Sequence, residues 1–163
     1  MLRFLDISQN QFDANLTVLP SLNSIDLSHN QIRGNVPKWL WHVGSDSVYY
    51  LHLCNNFFTS GDQIPNKRLQ ILDFHFNTLR GHVPIPPPSI EIFLVSNNQL
   101  TGEVPISICN LKSFQALGLA HNSLNGNLLP CVGDLSGNLM ILDMRMNKFD
   151  GRIPTTLFAN NAH

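Results

Sequence analysis

One arrangement recurs seven times in this chain, and no other feature constrains its fold as tightly. The pattern is apolar-x-apolar-x-x-Asn-x-apolar. It runs Leu5, Ile7, Asn10, Phe12, then Ile25, Leu27, Asn30, Ile32, then Leu51, Leu53, Asn56, Phe58. It continues with Leu72, Phe74, Asn77, Leu79, then Phe93, Val95, Asn98, Leu100. The last two are Leu117, Leu119, Asn122, Leu124 and Leu142, Met144, Asn147, Phe149. Successive Asn positions lie 20, 26, 21, 21, 24 and 25 residues apart. A repeat of this length is one supersecondary unit that leaves its two sides bare, so it is stable only when stacked on its neighbours.

The spacing carries a physical reading. Apolar-x-apolar is a short strand with two side chains facing the same way. The Asn that follows turns the corner, and its amide offers two donors and an acceptor. When buried, that amide satisfies backbone groups a tight turn leaves unpaired. The spacing therefore predicts a ladder of stacked Asn10, Asn30, Asn56, Asn77, Asn98, Asn122 and Asn147. The second half of each unit is patterned too. Gly-x-Val/Ile-Pro recurs at Gly34–Pro37, Gly81–Pro84, Gly102–Pro105 and Gly151–Pro154, with stretched versions at Gly61–Pro65 and Gly126–Pro130. Gly permits a positive φ at a bend, and Pro suits a short extended piece. After Pro105, apolar positions fall every three residues at Ile108, Leu111, Phe114 and Leu117, a period that suits a 3₁₀-like turn.

Composition agrees and excludes several classes. The chain has 163 residues, about one domain by size. Charged residues make up 13%, about half the usual ~25%. The 19 Asn and 24 Leu are the imprint of the repeat. A net charge of −1 and scattered Lys and Arg give no electrostatic footprint for nucleic acid. No apolar run approaches the ~20 residues of a membrane-spanning helix, and the start at Met1 lacks a signal-peptide profile. No glycine-rich phosphate loop, paired-carboxylate site or triad signature is present.

The Asn-x-Leu-x-Gly-x-Ile-Pro grammar resembles the plant-type leucine-rich repeat. The segments Pro37-Lys38-Trp39-Leu40-Trp41, Pro86-Pro87-Pro88-Ser89, Ser96 to Glu103, Ser107 to Leu111 and Pro130 to Ser136 resemble the ectodomains of plant receptor-like proteins. The resemblance covers essentially the whole chain and maps to the middle of such an ectodomain. It implies a right-handed α/β-type horseshoe with a concave parallel sheet and an irregular, partly 3₁₀ convex side. Residues 1–163 are then one domain of about seven repeats, uncapped at both ends. The resemblance also implies a surface protein of defence or developmental signalling at the plasma membrane, extracellular side, with a protein or peptide ligand and a co-receptor. The alternatives are a secreted inhibitor of a cell-wall-degrading enzyme and a truncated product. Apolar surface on the two open faces predicts self-association.

On such a fold the outward strand positions line the concave face. One column reads Asp6, Asp26, His52, Asp73, Leu94, Gly118, Asp143; the next reads Ser8, Ser28, Cys54, His75, Ser96, Ala120, Arg145. Neighbouring strands lie about 4.8 Å apart, so His52 should adjoin Asp73 and Cys54 should adjoin His75. These four carry the donors of a zinc site or a Cys–His nucleophile. Asp and Ser are the repeat's ordinary wording here, however, and a polar recognition surface is the simpler account. No catalytic, cofactor or metal site is assigned. Tyr50, His52, His75, Phe76, His121, Arg145 and Met146 depart most from the repeat and are the candidate recognition residues.

Cys109 and Cys131 lie 22 residues apart, near one coil, on the convex side. A disulfide there resembles the family's pattern, and two separate buried thiols are the alternative. Asn15-Leu16-Thr17 is the one glycosylation sequon. Trp39 and Trp41 are expected to fill the wide third coil, and Pro86-Pro87-Pro88 to shorten a convex return.

Overall fold

The structure is a computed structural model that describes residues 2–13, 22–37, 40, 48–61, 64, 68–132 and 138–155. Seven three-residue strands build the principal sheet: β1 (Phe4–Asp6), β2 (Ser24–Asp26), β4 (Tyr50–His52), β6 (Ile71–Asp73), β8 (Ile92–Leu94), β10 (Ala116–Gly118) and β12 (Ile141–Asp143). They lie in that order and pair in parallel throughout. The register follows the motif. Leu5 pairs with Ile25, Ile25 with Leu51, Leu51 with Leu72, Leu72 with Phe93, Phe93 with Leu117 and Leu117 with Leu142.

Those central residues point into the core. Ile25, Leu51, Leu72, Phe93 and Leu117 are buried, as are Leu27, Leu53, Phe74, Val95 and Leu119 two positions on. Each such side chain contributes about 1.5–3 kcal/mol by leaving water. In the outermost strands Leu5 and Leu142 are only partly buried. Phe58 meets Phe74 edge-on, with ring centroids 6.2 Å apart, the geometry aromatic pairs favour.

The ladder runs on past each strand. The amides of Ile7, Leu27, Leu53, Phe74, Val95 and Leu119 donate to carbonyls of the next coil at 2.7–3.0 Å. The chain then turns through one left-handed residue per coil: Gln9, His29, Asn55, Phe76, Asn97, His121 and Met146, all with φ between 53° and 57°.

A second ribbon follows the corner. It consists of β7 (Arg80–Gly81), β9 (Gln99–Gly102), β11 (Ser123–Asn127) and β13 (Lys148–Asp150), with β3 (Arg33–Asn35) and β5 (Phe57–Ser60) as a separate pair. These strands also run parallel. Arg33 lies over the Phe57 ring, 4.6 Å from its centroid, and ties β3 to β5. The repeat grammar predicts an extended piece here but not its pairing into a sheet. The glycines of Gly-x-Val/Ile-Pro carry φ of +78° to +85°, a conformation that would strain any residue with a Cβ.

Among the described residues, the convex side holds two 3₁₀ turns, Ile106–Asn110 and Pro130–Val132. Ile108, Leu111 and Phe114 are buried beneath it. The three-residue period therefore serves a single turn and then hands over to β10. Leu40 is buried, while Trp39 and Trp41 lie outside the described residues. Pro86 and Pro87 are buried and Pro88 is exposed. Among the described residues, no helix is long and apolar enough to cross a membrane.

Candidate functional site

The corner Asn residues come first, because they position everything on the face. Asn77 Nδ2 donates to the carbonyls of Leu53 (2.9 Å), Phe74 (3.1 Å) and His75 (3.4 Å), and its Oδ1 accepts the Phe58 N–H at 3.0 Å. One side chain thus joins its own corner, the preceding coil and the second ribbon. Asn56, Asn98 and Asn122 make the same four contacts. So do Asn30 and Asn147. Asn10, in an exposed setting, donates to the Ile7 and Ser8 carbonyls of its own coil.

With that frame held, side chains of odd parity to the core face outward. Asp6, Asp26, Asp73 and Asp143 each accept the amide two residues ahead, at 2.9, 2.8, 2.9 and 3.3 Å. At these positions Asp has a local structural task, closing the strand end. Where His52, Leu94 and Gly118 replace it, the face changes character.

The seven candidate recognition residues fall into four rows and two clusters. Tyr50 and His52 lie on β4, and His75 and Arg145 lie two residues beyond the ends of β6 and β12. Phe76, His121 and Met146 occupy the left-handed corner position and form the rim of the face. Across the sheet, Tyr50, His52, His75 and Phe76 gather on β4 and β6, with the rings of His75 and Phe76 5.2 Å apart. His121, Arg145 and Met146 gather at β10 and β12. Between the clusters lie the outward residues of β8 and β10: Leu94, Ser96, Gly118 and Ala120. Gly118 is covered by its neighbours, since a Cβ there would lie 2.9 Å from Leu94 Cδ2. Phe76 and Met146 are 52% and 68% exposed. A sequence reading has no means to foresee the left-handed row, because Phe and Met are uncommon at positive φ. Asn55, Asn97, His29 and His121 were the only hint.

The most connected group on the face is Cys54, Asp73 and His75. Asp73 Oδ1 lies 2.5 Å from His75 Nδ1, and this hydrogen bond raises the His75 pKa while burial opposes the rise. Burial, and then the Asp73 charge, push the Cys54 thiol up; side-chain hydrogen bonds from Asn55 and Ser28 pull the other way. A thiol held in its protonated form is a poor nucleophile. His52 pairs in register with Asp73 but stands outside this group. At the far end Arg145 pairs with Asp143 at 3.3 Å in an exposed setting.

Cys109 and Cys131 form a disulfide with Cα atoms 5.5 Å apart, joining the two 3₁₀ turns across adjacent coils on the convex side. Cys54 is a free, buried thiol. Asn15 lies outside the described residues.

Parallel coils, an Asn corner, a second ribbon and 3₁₀ returns define a plant-type leucine-rich-repeat solenoid, and this chain is one. The Leucine Rich Repeat family profile matches residues 21–43 and 89–111. Receptor-like protein 32 of Arabidopsis thaliana is 35% identical over 137 residues, which is 84% of this chain and 14% of that protein. Receptor-like protein 6 of Arabidopsis thaliana is 37% identical over 142 residues, 86% of this chain and 14% of that protein. Among solved structures, the Arabidopsis receptor kinase HAESA, in complex with the peptide hormone IDA and the co-receptor SERK1, superposes with a TM-score of 0.76. That match is at 29% identity over 86% of this chain and 24% of the HAESA chain. The chain thus spans about a seventh of the curated relatives it matches.

Proposed function

We propose that residues 1–163 form a single non-catalytic recognition unit whose concave face binds a peptide or protein ligand. The observation that carries this reading is the division of labour on the strands. Core and corner residues repeat from coil to coil, whereas the outward rows change identity at Tyr50, His52, His75, Phe76, His121, Arg145 and Met146. A rigid, curved face with aromatic and imidazole groups at intervals suits an extended peptide laid across the strands. HAESA, of similar fold, holds a peptide hormone and a co-receptor. That likeness and the similarity to receptor-like proteins support a further part of the proposal: a place on the extracellular side of a plasma-membrane receptor-like protein in defence or developmental signalling, with a co-receptor as a further partner. The similarity to receptor-like proteins favours this over a secreted inhibitor of a cell-wall-degrading enzyme.

The test is a peptide selected on the immobilised chain from a display library, measured against the wild type and a triple variant. Substituting His52, His75 and Arg145 together by Ala should weaken that peptide more than tenfold. Unchanged affinity would remove the concave face as the binding surface.

A further inference from the structure

We propose that Cys54, Asp73 and His75 form a binding site for a divalent transition-metal ion, of which zinc is the best match. The site goes beyond ligand recognition; it shares His75 with the recognition face, and its test reads zinc and cobalt rather than peptide. Its basis is strand geometry. Asp73 and His75 are two residues apart on one strand line, so both side chains leave the same face. Cys54 occupies in the preceding coil the position that His75 occupies in its own, and the backbone ladder holds the two coils side by side, the Asn55 amide donating to the His75 carbonyl at 3.0 Å. One ligand atom from each of the three residues falls within 4.8 Å of the others. Donors around a tetrahedral zinc sit about 3.3–3.8 Å apart, so side-chain shifts on the order of 1 Å close the set.

The chemistry of the donors fits the same ion. Thiolate, imidazole and carboxylate are all zinc ligands, and the sulfur disfavours magnesium or calcium. Thiolate and carboxylate together carry two negative charges, which a divalent cation balances, leaving no net charge in a partly dry place. The hydrogen bond between His75 and Asp73 marks where the cation would sit: the ion replaces the shared proton. On binding, the Cys54 thiol proton leaves to solvent, the Nδ1 proton of His75 is given up to solvent, and His75 ligates through Nδ1 as the neutral tautomer that carries its one proton on Nε2. Cys54 and Asp73 are each 7% exposed, whereas the His75 side chain is 31% exposed. Entry is therefore from the concave side, with a fourth position open to water or to a ligand group. Three protein donors and one open position is the plan of an accessible zinc site rather than a closed structural one. Because the donors come from two coils, the ion would also clamp β4 to β6.

The repeat itself supplies variants that fold. Ser stands at the Cys54 and His75 position in the first, second and fifth coils, as Ser8, Ser28 and Ser96, so Cys54→Ser and His75→Ser restore the ordinary wording. The untagged 163-residue chain is dialysed against zinc chloride, and separately titrated with cobalt(II) to read the thiolate-to-cobalt charge-transfer band. The wild type should bind one zinc per chain, melt at a higher temperature with zinc than without, and show the band. Cys54→Ser should abolish the band, and each variant should weaken zinc at least tenfold. His82→Ala, just after β7 on the second ribbon, should leave zinc affinity within twofold of wild type. Equal zinc affinity in the wild type and the double Ser variant, or a wild type without the cobalt–thiolate band, would overturn the site.

Discussion

The Asn corner and the concave face are separated by two to four residues, yet they behave in opposite ways. At the corner, Asn30, Asn56, Asn77, Asn98, Asn122 and Asn147 each make the same four contacts with nearly the same lengths. On the face, equivalent positions read Asp, His, Leu or Gly in one column and Ser, Cys, His, Ala or Arg in the next. The corner tolerates no variety because each amide completes the backbone pairing of two coils and the ribbon at once. The face tolerates it because an outward side chain touches only its lateral neighbours and solvent. A scaffold that fixes its backbone with side-chain amides leaves its sheet free to carry specificity.

That contrast breaks most visibly at the corner. Asn77→Ala strands the buried Phe58 amide and leaves the Leu53 and Phe74 carbonyls with one side-chain donor each, from Asn56 and Asn98, and should cost about 3–4 kcal/mol. The same change at Asn10, which bonds only its own coil in an exposed setting, should cost about 1 kcal/mol. Urea unfolding of the two variants checks the pair, and equal losses would contradict the ladder account. Next in size is the convex staple. Replacing Cys109 and Cys131 by Ser frees a loop spanning 22 residues and should cost about 3 kcal/mol. A smaller effect is expected at Gly102, where φ is +80° and a Cβ would lie 2.6 Å from His82 Nδ1. Gly102→Ala should cost about 1–2 kcal/mol, read from the same urea midpoints. Smallest of all, in zinc-free buffer, is the triple change at His52, His75 and Arg145, which should move unfolding by about 1 kcal/mol or less while losing the peptide. A large stability loss there would erase the distinction between corner and face.

The main sheet was legible to the residue. Aligning the seven motifs on their Asn reproduces every pair in the register, because a slip of one residue would turn Leu51 or Leu72 out to water. The second ribbon was not legible. Its strands are two to five residues long and place about one apolar side chain inward, such as Phe58, Leu100 or Leu124, so no alternation exists to read. At the candidate site, the lateral neighbours of Cys54 and His52 followed from the column alignment. The bond between Asp73 and His75 also had a signal in the sequence, the period of two along one strand, but the column reading looked across coils rather than along one. The left-handed placement of Phe76 and Met146 had only an indirect signal, the Asn and His that hold the same position in other coils, since it is set by the Asn that follows and not by their own preference.

The central claim is that recognition belongs to the concave face while the rest of the coil is scaffold. Side-chain oxidation footprinting of the chain, free and with a selected peptide bound, tests it most directly. Tyr50, Phe76 and Met146 are on or at the rim of that face and are 37%, 52% and 68% exposed; Phe57, on the second ribbon, is 41% exposed. The account predicts that the peptide protects Tyr50, Phe76 or Met146 and leaves Phe57 unchanged. Protection of Phe57 with all three others still open would contradict it.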